Sequence, residues 1–234
     1  MTRKATGNRI LDTIPDSEFA ALSPSLKPAT LRSGDILYQP RERTARIYFP
    51  TGCVLSVITV MQDGGAVEIG TVGREGMSGA HIMLGSQSMP SQMLCQVPGD
   101  TLSISTEEFE HAVESGPVLR SLARRYTRAL YNFMGQSVAC NRLHEVEERC
   151  ARWLALTHDR VDSDEFSLTQ EFLAIMLGVH RPSVSVAAGA LQNAGFIRYS
   201  RGRVVVTDRA GLEDVACECY RFGADEFARA LSPE

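Results

Sequence analysis

Two hydrophobic periods divide the chain. Over residues 27–104 apolar and β-branched positions come in short runs: Ile36-Leu37-Tyr38, Ile47-Tyr48-Phe49, Val54 to Val60, Val67-Glu68-Ile69 and Met93 to Val97. Turn signals separate them, at Ser33-Gly34-Asp35, Pro50-Thr51-Gly52, Asp63-Gly64-Gly65, Gly73, Gly85 and Pro98-Gly99-Asp100. Short strands at this spacing predict an all-β roll or barrel, and Asp63-Gly64 between apolar runs is the best single hairpin signal. From Thr106 the period lengthens. A helix opens on Thr106 and its following acids. A second, long one follows Pro117 and runs to about Ala139. Within it Leu119, Leu122, Tyr126, Ala129 and Phe133 are spaced 3, 4, 3 and 4 residues apart, the period of a coiled-coil seam. Such a stripe packs either on the chain's own β-domain or on a second copy. Dimerisation is the preferred expectation, because one helix covers little of a compact roll. Residues 140–145 then predict a hinge, and Val146 to Val161 another helix.

The stretch LGVHRPSVSVAAGAL stops one helix and at once starts another. Leu173, Met176 and Leu177 recur at helical spacing, and Thr169 is placed to cap the start of that helix. Gly178 fits the left-handed end of a helix, and Pro182 fits a first helical turn, where a missing N–H costs nothing. The second helix therefore starts near Arg181. Val184, Ala187, Ala188 and Leu191 form its inward face. Arg181, Ser185 and Gly189 lie on the other side, with Pro182 and Val186 beside them. Two short helices joined in this way make a helix-turn-helix, or an αα-corner that only supports a core. The following residues favour the first. Ile197 to Ser200 and Arg203 to Val206 read as a hairpin with Arg201-Gly202-Arg203 at or near its tip, which makes a winged helix-turn-helix.

Charge sharpens this reading. The 234 residues carry a net charge of −4. Residues 167–209 hold five arginines against Glu171 and Asp208, so this module is basic on an acidic protein. That asymmetry is expected of a phosphate-binding surface. Arg198, Arg201 and Arg203 are expected to meet phosphates, Arg181 a guanine in bidentate fashion, and Ser183 and Ser185 phosphate or base. No apolar run reaches membrane-spanning length, and the basic N-terminus has no signal-peptide core, so the expected location is the cytoplasm. The six cysteines show no C-x-x-C pair and are expected as free thiols. Cys217 and Cys219, two apart in an expected helix, are expected to point to different sides. Cys140 and Cys150 flank the hinge, where thiol oxidation could gate the domains. No phosphate loop, H-E-x-x-H or G-x-S-x-G is present, so no enzyme is expected. A β-roll enzyme built on Asp35, Glu68, Glu75 and His81, or a scaffold docking a protein on its winged domain, are the weaker alternatives.

The order β-roll, long helix, hinge, winged helix-turn-helix resembles the Crp/Fnr family of bacterial transcription regulators. The resemblance is specific over SLTQEFLAIMLGVHRPSVSVAAGALQNAGFI, RGRVVV and DRAGLEDVACECY, and looser over Leu31–Phe109, in GDILY, YFPTG, EGMSG and STEEF. It implies an α+β fold with a jelly-roll-like sensor domain over 1–116, a dimerisation helix and hinge over 117–144, and a DNA-binding domain over 145–234. It further implies a homodimer on a palindromic operator in double-stranded DNA, with RNA polymerase as a possible partner and no membrane. The DNA-binding set becomes Thr169, Arg181, Pro182, Ser183, Ser185, Val186, Arg198, Arg201 and Arg203. Pro182 and Val186 stand where the family often has glutamate and arginine, so a different operator is expected, with Val186 against a thymine methyl.

The resemblance also bears on the signal. Cyclic-nucleotide-binding members carry a Gly-Glu pair and an Arg-Ser or Arg-Thr pair. Here Gly79-Ala80 and, by ungapped count, Met89-Pro90 take those places. No lysine or arginine lies between Gly76 and Leu119. A buried phosphate without a cation is strongly disfavoured, so cyclic AMP is not the expected effector. No cysteine precedes Cys53, so the iron–sulfur ligands of oxygen-sensing members are missing. No cofactor is expected. Haem ligation by His81 or a cysteine is the remaining remote option.

Overall fold

The computed structural model describes residues 3–232. After two short helices, α1 (Arg9–Thr13) and α2 (Asp16–Leu22), the chain builds seven strands: β1 (Lys27–Leu31), β2 (Ile36–Tyr38), β3 (Arg46–Pro50), β4 (Val54–Val60), β5 (Ala66–Val72), β6 (Gln92–Val97) and β7 (Gly99–Ser105). A one-turn helix, α3 (Ala80–Met83), interrupts them. The strands form two antiparallel sheets, ordered β1-β7-β3 and β2-β6-β4-β5. Ile47, Phe49, Val54, Leu55, Val57, Met93, Cys95 and Ile104 fill the space between them. The β4–β5 hairpin turns where Asp63-Gly64 predicts. Gly64 takes φ +86°, and the Asp63 carboxylate accepts from Gly65 N at 2.9 Å.

Helix α4 (Thr106–Ser115) is capped one residue earlier than its first acids suggest. Ser105 and Glu108 form a reciprocal capping box, which leaves the Thr106 hydroxyl to donate to Thr44 O at 2.7 Å. Helix α5 (Pro117–Leu143) runs four residues beyond the expected Ala139. The break before α6 (Val146–His158) is confined to His144 and Glu145, so the hinge is shorter than the expected 140–145. The chain then forms β8 (Glu165–Ser167), α7 (Gln170–Leu177), α8 (Arg181–Asn193), β9 (Ile197–Ser200), β10 (Arg203–Val206), α9 (Arg209–Val215) and α10 (Cys219–Leu231).

The long helix corrects the expected dimer seam. Leu119, Leu122, Tyr126, Ala129 and Phe133 are all buried within the chain, so they are not available to a second copy. The physical reason is that α5 has more intramolecular cover than the roll alone gives. Helix α10 returns from the C-terminal end and lies along it, stacking Phe227 on Tyr126 at 5.8 Å between ring centroids and tilting it against Phe133 at 5.6 Å. Gly223 permits this approach, since a Cβ there would sit 2.9 Å from the Phe133 ring.

Polar bridges join the β-roll to the C-terminal half. Arg160, just past α6, pairs with Glu75 at 2.7 Å, both buried, and bonds Thr71. Trp153 of α6 donates to Glu68 of β5 at 3.0 Å. Arg74 pairs with Asp162 at 2.8 Å and donates to Arg160 O at 3.0 Å.

Candidate nucleic-acid interface

The interface begins with a glycine. Gly178 ends α7 at φ +60°, ψ +40°, a conformation that L side chains adopt only with strain. Thr169 caps the other end of α7, its Oγ1 accepting from Phe172 N at 3.2 Å. After the turn α8 starts at Arg181 with Pro182 in its first turn, and the two helices meet at 101°. Val184, Ala187, Ala188 and Leu191 are buried against α6 and α7, and this fixes the rotation of α8 about its axis. Arg181, Pro182, Ser183, Ser185 and Val186 are thereby turned outward and exposed, Val186 at 75%.

Three strands, ordered β8-β10-β9, build the wing. Its tip is the two-residue turn Arg201-Gly202, both at positive φ (51° and 74°), as a tight hairpin of this twist requires. Arg198, Arg201 and Arg203 are exposed. Arg203 pairs with Glu165 of β8 at 3.0 Å, a surface bridge that a phosphate can displace. Hydrogen bonds tie the wing to the helix-turn-helix: Gln192 accepts from Tyr199 N at 2.7 Å, and Leu168, just before α7, accepts from Tyr199 Oη at 2.9 Å and donates its N–H to Gly202 O at 2.8 Å. Thr169 lies beside Gly202, which brings the α7 cap against the wing turn. The sequence pattern does not single out Gln170. Its Oε1 accepts from Ser185 Oγ at 3.1 Å and meets Arg181 Nε at 3.5 Å, which orients both side chains. Its only sequence signal is its place after the Thr169 cap.

Residues 148–215 match the family model of the Crp-like helix-turn-helix domain. The outward residues of α8 therefore lie inside the stretch that matches a Crp-like helix-turn-helix domain. The fold of the whole chain agrees. A protein assigned to the Crp/Fnr regulators from Eubacterium rectale superposes with TM-score 0.65 at 15% identity, over 88% of this chain and 96% of that one. FixK2 of Bradyrhizobium japonicum superposes with TM-score 0.65 at 14% identity, over 82% and 98%. A CRP-family transcriptional regulator of Thermus thermophilus gives 0.61 at 19%, over 80% and 96%. The chain thus has the Crp/Fnr fold. No curated protein matches the sequence.

The other candidate groups fall in separate places. Asp35, Glu68, Glu75 and His81 do not assemble into one site. Asp35 accepts from Arg32 N, Glu68 from Trp153, Glu75 from Arg160, and His81 shares a 2.8 Å hydrogen bond with Thr44. Burial pushes the His81 imidazole below its usual pKa, and its ring packs edge-on to Tyr38. Cys140 and Cys150 separate, Cys150 joining the main core while Cys140 packs with Cys217 and Cys219. The expectation that Cys217 and Cys219 diverge also fails. Cys217 precedes α10 rather than lying in it, so helical spacing does not apply, and both thiols turn to the same side. Among the described residues, no single helix is long and apolar enough to cross a membrane.

Proposed function

We propose that the protein is a homodimeric, sequence-specific DNA-binding transcription regulator and not an enzyme. The observation that carries this is the outward face of α8: small side chains with Arg181 at the N-terminal end, flanked by the three wing arginines. Such a helix fits a major groove with its first residues nearest the base edges. Arg181 reads a guanine, Val186 meets a thymine methyl, and Ser183 and Ser185 bond base or phosphate. Thr169, Pro182, Arg198, Arg201 and Arg203 line the backbone on either side.

The dimer joins through the face of α5 that its own chain leaves open. Arg124, Arg128, Tyr131, Gly135, Val138 and Arg142 are exposed at spacings of 4, 3, 4, 3 and 4 residues. Tyr131 is 74% and Val138 72% exposed, and Leu84, after α3, shares a surface hollow with Arg124, Arg128 and Tyr131. Two such chains side by side present two α8 helices to successive major grooves about 34 Å apart, on a palindromic operator. Regulation then acts through contact with RNA polymerase in the cytoplasm. Cyclic AMP is not the signal, because the stretch from Gly76 to Leu119 offers no cation for its phosphate.

Selection from random duplexes followed by a salt series tests the reading. The selected sites are palindromic and bind at least about a thousandfold tighter than random DNA, with affinity falling log-linearly in salt. Equal affinity for selected and random duplexes, or salt-independent binding, overturns it.

A further inference from the structure

Two pairs of side chains, more than seventy residues apart in sequence, converge where the long helix ends. Cys140 lies in the last turn of α5, and His144, four residues on, stands at its end on the same face. Cys217 lies just before α10, and Cys219 is the first residue of that helix. The three sulfurs and a ring nitrogen of His144 all lie within 4.8 Å of one another. Cys140 Sγ is 3.6 Å from Cys217 Sγ, and Cys219 Sγ is 3.6 Å from His144 Nδ1. A tetrahedral ion with thiolates at about 2.3 Å and an imidazole at about 2.0 Å sets neighbouring ligand atoms about 3.5–3.8 Å apart. All three cysteines are buried and His144 is partly so.

The surroundings are those of a charged centre rather than of packed thiols. Gln136 Nε2 donates to Cys219 Sγ at 3.1 Å, as an amide does to a thiolate. The far nitrogen of His144, Nε2, faces the Glu218 carboxylate at 3.9 Å, the outer partner that fixes the ring of a metal-bound histidine. Two buried arginines stand beside the group. Arg152 acts electrostatically on all three cysteines, and Arg149 on Cys140 and Cys217. The Nε of each is buried without a hydrogen-bond partner. Neutral thiols give buried cations no counter-charge, whereas three thiolates, a neutral imidazole and one divalent ion sum to a single negative charge.

We propose that Cys140, His144, Cys217 and Cys219 form a closed structural zinc site. Three sulfurs and one nitrogen in tetrahedral spacing suit this ion, and four protein ligands leave no open position for catalysis. The ligand pairs bracket residues 145–216, which contain the whole helix-turn-helix and wing. The ion therefore staples the two ends of the DNA-reading module together and fastens α10 to α5 at the hinge. This inference is independent of the dimer and of any operator.

The test uses the full chain, purified reduced and without chelator. Elemental analysis finds about one zinc per chain. Cobalt(II) added to the chelator-stripped protein gives thiolate charge-transfer absorption in the near ultraviolet and the visible bands of a tetrahedral ion. His144→Ala and Cys217→Ser lose the metal and Glu218→Gln binds it about tenfold more weakly, whereas Cys150→Ser keeps full content. The cobalt spectrum of the parent chain needs no variant, so the test stands even where Cys217→Ser does not fold. Three results overturn the site: no metal with the thiols of Cys140, Cys217 and Cys219 titrating freely in the parent, a Cys140–Cys217 disulfide in its place, or full metal content in Cys217→Ser.

Discussion

At the scale of single residues, the proposed reading of DNA rests on which side chains α8 turns outward, and Arg181 carries most of that proposal. It stands at the first position of the helix, exposed, with Gln170 orienting it. A guanidinium there presents two parallel donors, the pattern that matches O6 and N7 of guanine. Arg181→Ala is therefore expected to cost about 1–3 kcal/mol on a selected site and to relax discrimination at one base pair. Arg201→Ala, at the wing tip, instead lowers binding to every sequence alike and reduces the salt slope by about one. Fluorescence anisotropy on the selected duplex and on single-base variants separates the two. Equal loss on selected and random DNA for Arg181→Ala removes the base-reading role.

At the scale of elements, what was legible in the sequence was what short-range stereochemistry decides. Gly178, Pro182 and the Thr169 cap locate the helix-turn-helix to within two residues because each acts on backbone within one turn. Asp63-Gly64 locates its hairpin for the same reason. The small strand β8 escaped, since Glu165-Phe166-Ser167 is too short to alternate visibly and pairs only because β10 lies beside it. The Cys140–Cys219 cluster escaped too, because it depends on α10 returning across the molecule. The seam of α5 shows the limit most clearly. Its apolar period is real, but Leu122, Tyr126 and Phe133 spend it on the chain's own β-roll and α10. The open stripe has the same spacing but includes Arg124, Arg128 and Gly135, which hydrophobic patterning does not mark. This assigns different consequences to the two faces. Tyr131→Asp with Val138→Asp is expected to give folded monomers, read by sedimentation velocity, with an unchanged far-ultraviolet helix signal. Leu122→Ala is expected to cost about 2–5 kcal/mol of folding stability. A Tyr131→Asp/Val138→Asp protein that remains dimeric overturns the assignment of the outer face.

At the scale of the whole molecule, the β-roll and the C-terminal half share a buried joint whose charge state is tunable. Glu68 of β5 is the group that titrates there. Burial pushes its pKa up to about 7, and hydrogen bonds from Ser56 and Trp153 offset only part of that rise. Arg152 and Arg160, the charged groups that act on it, also pull the value down, and Gln96 shares the Ser56 hydroxyl. In the unfolded chain the same carboxyl titrates in the ordinary range near 4.5. Between these values the folded protein holds the proton more tightly than the unfolded chain does. Stability from this group is therefore full at low pH and falls as pH rises, by at most about 1.4 kcal/mol per unit, until it levels off above about pH 7. Glu68→Gln keeps an oxygen for Trp153 while removing the titration. The variant is expected to match the parent near pH 5 and to exceed it near pH 8 in urea-unfolding midpoint, flattening the difference between the two conditions. If parent and variant lose stability in parallel over that range, Glu68 is not the titrating group of the joint. If the variant is less stable at both conditions, its carboxylate is ionised and paired there instead, and the docking of the two halves gains nothing from the proton.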